Sequence, residues 1–280
     1  MNESLKRLLS GVVYVALLVI ATSYSVTSFY ILFGIFMLIA IYEFCQLVNL
    51  NKVFPLIFGA FTYTLATYFK EGFTNESERT NNILLLAATL FVSIKCLHLL
   101  FISQKQKVDK LSKYIYVIGY VIFPFILITK IPFGIKGFNP KIIISIFILI
   151  WTNDTFAYIV GKSIGKHKLI EKISPKKTVE GFFGGIVFSV IAGILISKFY
   201  IQAKPNHQFL SLTIWTISAI IISVFSTLGD LIESKFKRIA GVKDSGNIMP
   251  GHGGILDRLD SIIFVAPFVY LFYQILYYVS

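Results

Sequence analysis

Apolar residues run along this chain in long unbroken stretches, without the alternation of half-buried strands or the three-and-four spacing of surface helices. Stretches of about 20 residues, enough to cross a hydrocarbon layer as a helix, fall near 8–25, 27–48, 53–69, 82–102, 114–130, 141–161, 181–200, 209–230 and 262–279. The pattern predicts an all-α, polytopic integral membrane protein with about nine transmembrane helices. Between them lie short polar loops, of which 70–82 (KEGFTNESERTNN) reads as an ordinary connection rich in turn formers.

Composition agrees and narrows the function. The 280 residues are 56% hydrophobic, 16% aromatic and only 14% charged, which excludes an ordinary soluble domain. The formal net charge of +12 has no soluble basic domain to carry it, so it argues against nucleic acid and for anionic headgroups and phosphorylated substrates. With the N-terminus in the cytoplasm, 18 Lys and Arg fall on that side, 7 on the other, and Lys95 within a span. This positive-inside bias places the N-terminus inside and the C-terminus outside. Lys6 and Arg7 precede an apolar run as in a signal peptide, but no A-x-A cleavage site follows, and the run reads as an uncleaved first helix. Cys45 and Cys96 lie inside apolar stretches, as small core or lipid-facing residues do.

The charges divide the chain into N-terminal transmembrane helices, 1–140, and a catalytic transmembrane region, 141–280, with cytoplasmic loops at 162–180 and 234–260. Asp154, in WTNDTFAY, stands at a depth where a carboxylate costs about 2.5–3.5 kcal/mol unless it meets a cavity or a partner. It reads as a metal or substrate ligand, or as a helix-end group satisfied by Asn153, Thr155 or a lysine. In KSIGKHKLIEKISPKKTVEGFFGG, Ser174 and Pro175 suit an N-cap and first turn, which would crowd Lys176, Lys177 and Thr178 around an anion at a helix N-terminus. A lysine-rich cytoplasmic loop is also what topology alone produces.

The densest polar stretch is Ser234–Asp260, SKFKRIAGVKDSGNIMPGHGGILDRLD. Just before it, Asp230 shares a helical face with Glu233 and Ser234. Asp257 and Asp260 repeat the three-residue spacing, a fair grip for a hard cation but also a common pattern of helix capping. Between them, Gly246, Gly251, Gly253 and Gly254 let backbone approach a ligand and present amides. His252 is placed to position a phosphate or act as general acid, or is a turn histidine bonded to backbone.

Ser234-x-Phe236-Lys237-Arg238, then Lys243-Asp244-x-Gly246, then Pro250-x-His252-Gly253-Gly254-Ile255-x-Asp257-Arg258-Leu259-Asp260 resembles the signature of phosphatidate cytidylyltransferases, the CDP-diacylglycerol synthases. DTFAYIVGKSIGKHK and SPKKTVEGFFGG resemble the central segments of the same family, so the likeness covers roughly 150–261. Met249 and Val179 depart from it at apolar packing positions.

The resemblance implies transfer of CMP from CTP to phosphatidic acid, giving CDP-diacylglycerol and pyrophosphate, with Mg²⁺ as cofactor and two ions suiting the displacement. It makes Asp230 and Asp257 the principal metal ligands, with Asp154 and Asp260 as further carboxylates and His252 beside them. Lys176, Lys177, Lys237, Arg238, Lys243 and Arg258 are candidates for the triphosphate and lipid phosphate, while Ser234, Gly253 and Gly254 shape the pocket. The expected setting is the cell's inner membrane with the site facing the cytoplasm, membrane lipid as partner, and a homodimer by resemblance only. A cation-coupled transporter would also bury aspartates but gives no reason for PGHGG beside LDRLD. A CDP-alcohol phosphotransferase would need a DG-x₂-AR pattern that this sequence lacks.

Overall fold

A computed structural model describes residues 3–68, 76–101, 108–134, 137–249 and 253–279. Among them the chain forms nine long helices: α1 (Glu3–Tyr24), α2 (Val26–Leu47), α3 (Val53–Tyr68), α4 (Glu76–Phe101), α5 (Lys110–Lys130), α6 (Pro140–Ile164), α7 (Val179–Ile201), α8 (Gln208–Ala240) and α9 (Leu256–Val279). Seven of these are long and apolar enough to cross a bilayer by length and composition, and Leu9–Tyr24 and Val53–Thr67 are shorter apolar helices. The molecule is thus an all-α integral membrane protein. Two small antiparallel hairpins interrupt it, β1 (Phe133–Gly134) with β2 (Gly137–Phe138), and β3 (Lys168–Ile170) with β4 (Ser174–Thr178).

Local sequence explains the joints. Between α1 and α2 only Ser25 is non-helical; its hydroxyl accepts the Ser28 amide at 3.0 Å while the Ser28 hydroxyl accepts the Ser25 amide at 3.1 Å, a reciprocal cap. In α5 the turn Val117–Ile122 widens to a π-helix just ahead of Pro124, whose ring nitrogen has no hydrogen for the regular ladder. At the far end of α8, Gly241 takes φ +73° and its amide and that of Val242 return to the carbonyls of Arg238 and Lys237 at 3.2 and 3.0 Å, a left-handed stop that glycine adopts without strain.

Apolar burial does not hold helices together in lipid; close packing and small residues do. The last four helices follow this rule pair by pair. A Cβ on Gly181 of α7 would lie 2.6 Å from the Ala157 carbonyl of α6, one on Gly193 would lie 2.8 Å from the Trp215 carbonyl of α8, and one on Gly229 of α8 would lie 2.8 Å from the Asp260 carbonyl of α9. The Phe225 and Phe268 rings stack across α8 and α9 with centroids 3.4 Å apart.

The three largest differences from the hydropathy reading are helices that continue past charged residues. The eighth expected span stops at 230, yet α8 runs on to Ala240 because Leu231, Ile232 and Phe236 stay buried, Phe236 against Phe44, Tyr116 and Tyr120. The ninth begins at Leu256 and not 262, so Asp257 and Asp260 lie in its first turns. Part of the expected 70–82 loop is helix from Glu76, and 69–75 lie outside the described residues. The Ser174–Pro175 helix start is also corrected: SPKKT is strand β4, and α7 is capped by Thr178, whose hydroxyl accepts the Gly181 amide at 3.1 Å.

The ends of α2, α6 and α8 and the starts of α3, α5, α7 and α9 meet at one end of the bundle, where Glu43 reaches α9, Lys113 reaches the Asn49 carbonyl, and both polar motif loops converge. Replacing Gly181 by Val is expected to wedge α6 from α7 and to destabilise the protein by about 1–3 kcal/mol, read as a lowered thermal midpoint in detergent. Phe183→Leu, at an exposed position of the same helix, should leave the midpoint unchanged.

Candidate active site

A cavity of about 730 Å³ opens at that end of the bundle, between α6, the β3–β4 hairpin, α7, α8 and the start of α9. Into it face the carboxylates Asp154, Asp230, Asp244, Asp257 and Asp260 and the cations Lys162, Lys168, Lys176, Lys177, Lys237 and Arg258. The volume suits a small polar ligand. A smaller cavity of about 270 Å³ adjoins it, sharing Asp154, Asp257, Arg258, Asp260 and Ser261 and walled for the rest mainly by apolar groups such as Val15, Phe147, Ile150 and Trp151.

Each carboxylate has its own surroundings. Asp230, near the end of α8, binds Lys177 Nζ through Oδ2 at 2.6 Å and accepts the Ser234 hydroxyl through Oδ1 at 3.2 Å. Lys177 comes from β4, so this pair fastens the hairpin to α8. Asp154 accepts the Asn153 amide at 3.3 Å, and Asn153, buried, also approaches Thr227 Oγ1 at 3.4 Å. Asp260 is buried, its Oδ1 taking the Ser261 amide at 2.6 Å. Asp154, Asp230 and Asp260 act on one another electrostatically, so three carboxyl groups share the space that Lys177 enters.

Asp257 works differently. Oδ1 meets Lys237 Nζ at 2.7 Å, and Oδ2 accepts the amides of Ser245 at 2.9 Å and Gly254 at 2.7 Å. Lys237 simultaneously pairs with Glu233, one turn earlier on α8. Asp257 therefore brings the Ser245 and Gly254 amides together and ties them to α8 through Lys237.

The other sequence candidates are distributed as follows. Lys176 lines the cavity without an ion pair among the described residues, and Arg258 lines both cavities. Ser234 serves Asp230. Arg238 points to the backbone, toward the carbonyls of Val242 at 3.4 Å and Ile173 at 3.5 Å, and so joins the hairpin to the loop instead of lining the cavity. Lys243 is exposed and outside the lining. Gly253, at φ +82°, pairs with Met249 in an isolated bridge and leaves no room for a Cβ beside Asp257. His252, with Pro250 and Gly251, lies outside the described residues.

Sequence reasoning missed Glu43. It is 1% exposed and accepts the amides of Ile255 at 3.1 Å and Leu256 at 2.8 Å. Its signal was present, a lone carboxylate in the apolar run MLIAIYEFCQL, but its partner lay more than two hundred residues away. Gly246 and Gly254 flank it, and a Cβ on either would strike its carboxylate. These glycines make room for an acid of the protein itself.

Among the described residues no three His, Cys, Asp or Glu side chains gather closely enough to enclose a metal unaided. The donors are hard oxygens on separate helices around an open space. Such a set fits a small hard cation that takes one or two carboxylates and completes its shell with water and phosphate oxygens.

The chain matches the Cytidylyltransferase family over residues 5–276. Proteins named phosphatidate cytidylyltransferase are similar to part of it: that of Staphylococcus epidermidis is 50% identical over 127 residues, covering 45% of this chain and 46% of the relative. That of Staphylococcus haemolyticus is 53% identical over 121 residues, 43% of this chain and 44% of the relative, and that of Bacillus subtilis 54% over 123 residues, 44% of each. Each matching stretch spans less than half the length of the curated relative. The family match runs almost from end to end and takes in every helix around the cavity, so this chain is a member of the cytidylyltransferase family.

Proposed function

We propose that the cavity transfers CMP from CTP to phosphatidic acid, releasing pyrophosphate and forming CDP-diacylglycerol, at the cytoplasmic face of the cell's inner membrane. The observation that carries this reading is the meeting of Asp154, Asp230 and Asp260 with Lys176, Lys177 and Arg258 around one space at the end of apolar helices. Both substrates are anions, and bringing them together demands neutralisation and alignment in one place.

Lys176 and Lys177, on β4, hold the triphosphate from the hairpin side. Arg258, which borders both cavities, bridges the nucleotide and the lipid phosphate with a planar fork of donors. The apolar annex beside it receives the glycerol end of the lipid. The lipid phosphate is already ionised and attacks the α-phosphorus in line, so no side chain has to serve as nucleophile. Mg²⁺ fits Asp230, with Asp154 or Asp260 as further carboxylate, and when bound supplies positive charge to the phosphate oxygens. Lys177, paired with Asp230 at the cavity wall, would hold the triphosphate from the side of that carboxylate.

Purified protein given radiolabelled CTP, phosphatidic acid and Mg²⁺ should release labelled CDP-diacylglycerol; ion-driven solute uptake without this product would turn the reading toward a transporter. Asp230→Asn is expected to lower kcat by about 10²–10³-fold with the thermal midpoint retained, and full turnover of this variant at low Mg²⁺ would remove Asp230 from the metal. Lys177→Met should raise KM for CTP about tenfold, equivalent to roughly 1.4 kcal/mol of binding, while KM for phosphatidic acid stays constant. By contrast, Lys237→Met leaves Glu233 and Asp257 without their shared cation and should cost about 3–5 kcal/mol of stability, visible as aggregation or a collapsed thermal midpoint.

A further inference from the structure

Glu43 belongs to α2, outside every motif of the cavity, and yet both its oxygens are committed to the loop that enters α9. Leu256 is the first helical residue there, so the two amides it receives are among the donors that a helix start leaves without an internal partner. A carboxylate at this point is favoured as acceptor and as negative charge at the positive end of the helix dipole. Asp257 reaches back to the Gly254 amide at 2.7 Å, so the amides of Gly254, Ile255 and Leu256, three in succession, are held by two carboxylates, one from within α9 and one from across the molecule. The next cavity-lining carboxylate on α9, Asp260, follows within one further turn.

We propose that Glu43 is a positioning residue of the transfer reaction: by gripping the first turn of α9 it sets the directions of Asp257, Arg258 and Asp260 without touching either substrate. This rests on the cytidylyl-transfer reading above. The physical case is one of leverage. Two hydrogen bonds at the helix start fix both its height and its rotation, and side chains one turn away move with it. Displacing reacting groups by about 1 Å can cost as much as 10²-fold in rate. Glutamine is the informative replacement, since it keeps the shape and one acceptor oxygen but turns an NH₂ donor toward an N–H.

The test compares Glu43→Gln with Glu43→Asp and with Glu78→Gln, a half-buried carboxylate paired with Lys130 at the other end of the bundle. Glu43→Gln should lower kcat by roughly 100-fold while KM for CTP stays within about threefold, and Glu43→Asp should recover part of kcat because it keeps the charge. Hydrogen exchange at the Ile255 and Leu256 amides should accelerate at least about tenfold in Glu43→Gln. Glu78→Gln is expected to lower the thermal midpoint alone. A Glu43→Gln protein with kcat within twofold of the parent, or with unchanged exchange at both amides, overturns the proposal, as does a loss of activity that only mirrors a loss of folded protein in all three variants. If the parent protein makes no CDP-diacylglycerol, the reaction reading falls, and the exchange rates still decide whether Glu43 grips the helix.

Discussion

A single ammonium, that of Lys237, stands between the carboxylates of Glu233 and Asp257, so that the last turns of α8 and the first turn of α9 are joined by charge in the midst of buried apolar side chains. At low dielectric a carboxylate pair without its cation is strongly repulsive, and the two helix ends would part. With one oxygen on Lys237, Asp257 gives its second to the amides of Ser245 and Gly254, which are held at the helix start. Asp257 is thereby held in the cavity wall.

Two kinds of cohesion therefore divide the molecule. Along α6, α7, α8 and α9, backbones approach through Gly181, Gly193 and Gly229, a geometry that needs no charge and tolerates lipid on its outer side. At the motif-bearing end polar groups add to this packing: Lys177 to Asp230, Arg238 to the hairpin and loop carbonyls, Glu43 to the amides of α9. The close packing fixes where the helix ends stand. The polar contacts fix which side chains turn inward.

Most of this architecture was legible in the sequence because apolar length is a direct consequence of bilayer thickness. The positions of Asp154, Asp230, Asp257 and Asp260 were legible too, since charge in such a chain has few acceptable locations. Hydropathy misjudged the far end of α8 and the start of α9, because it scores a charge as an exit from the helix and has no knowledge of its partner. The SPKKT segment looked like a helix start on the strength of Ser174 and Pro175; pairing of β4 with β3 placed the cap at Thr178 instead. Arg238 and Glu43 could not be assigned from the chain alone, since the first turns to backbone carbonyls, one of them far off in sequence, and the second to amides that any residue types could have supplied.

The length of α8 has a consequence for where chemistry can occur. Its 33 residues rise about 50 Å at 1.5 Å each, against a hydrocarbon layer about 30 Å thick. Counted from Gln208, Asp230 comes just after that thickness is exhausted, and the turns bearing Glu233 and Lys237 rise beyond it, at the level of lipid headgroups. On the cytidylyl-transfer reading proposed above, a lipid phosphate at headgroup depth would be level with the Asp230 carboxylate, and a water-soluble nucleotide would need to descend no further than the interface to meet it.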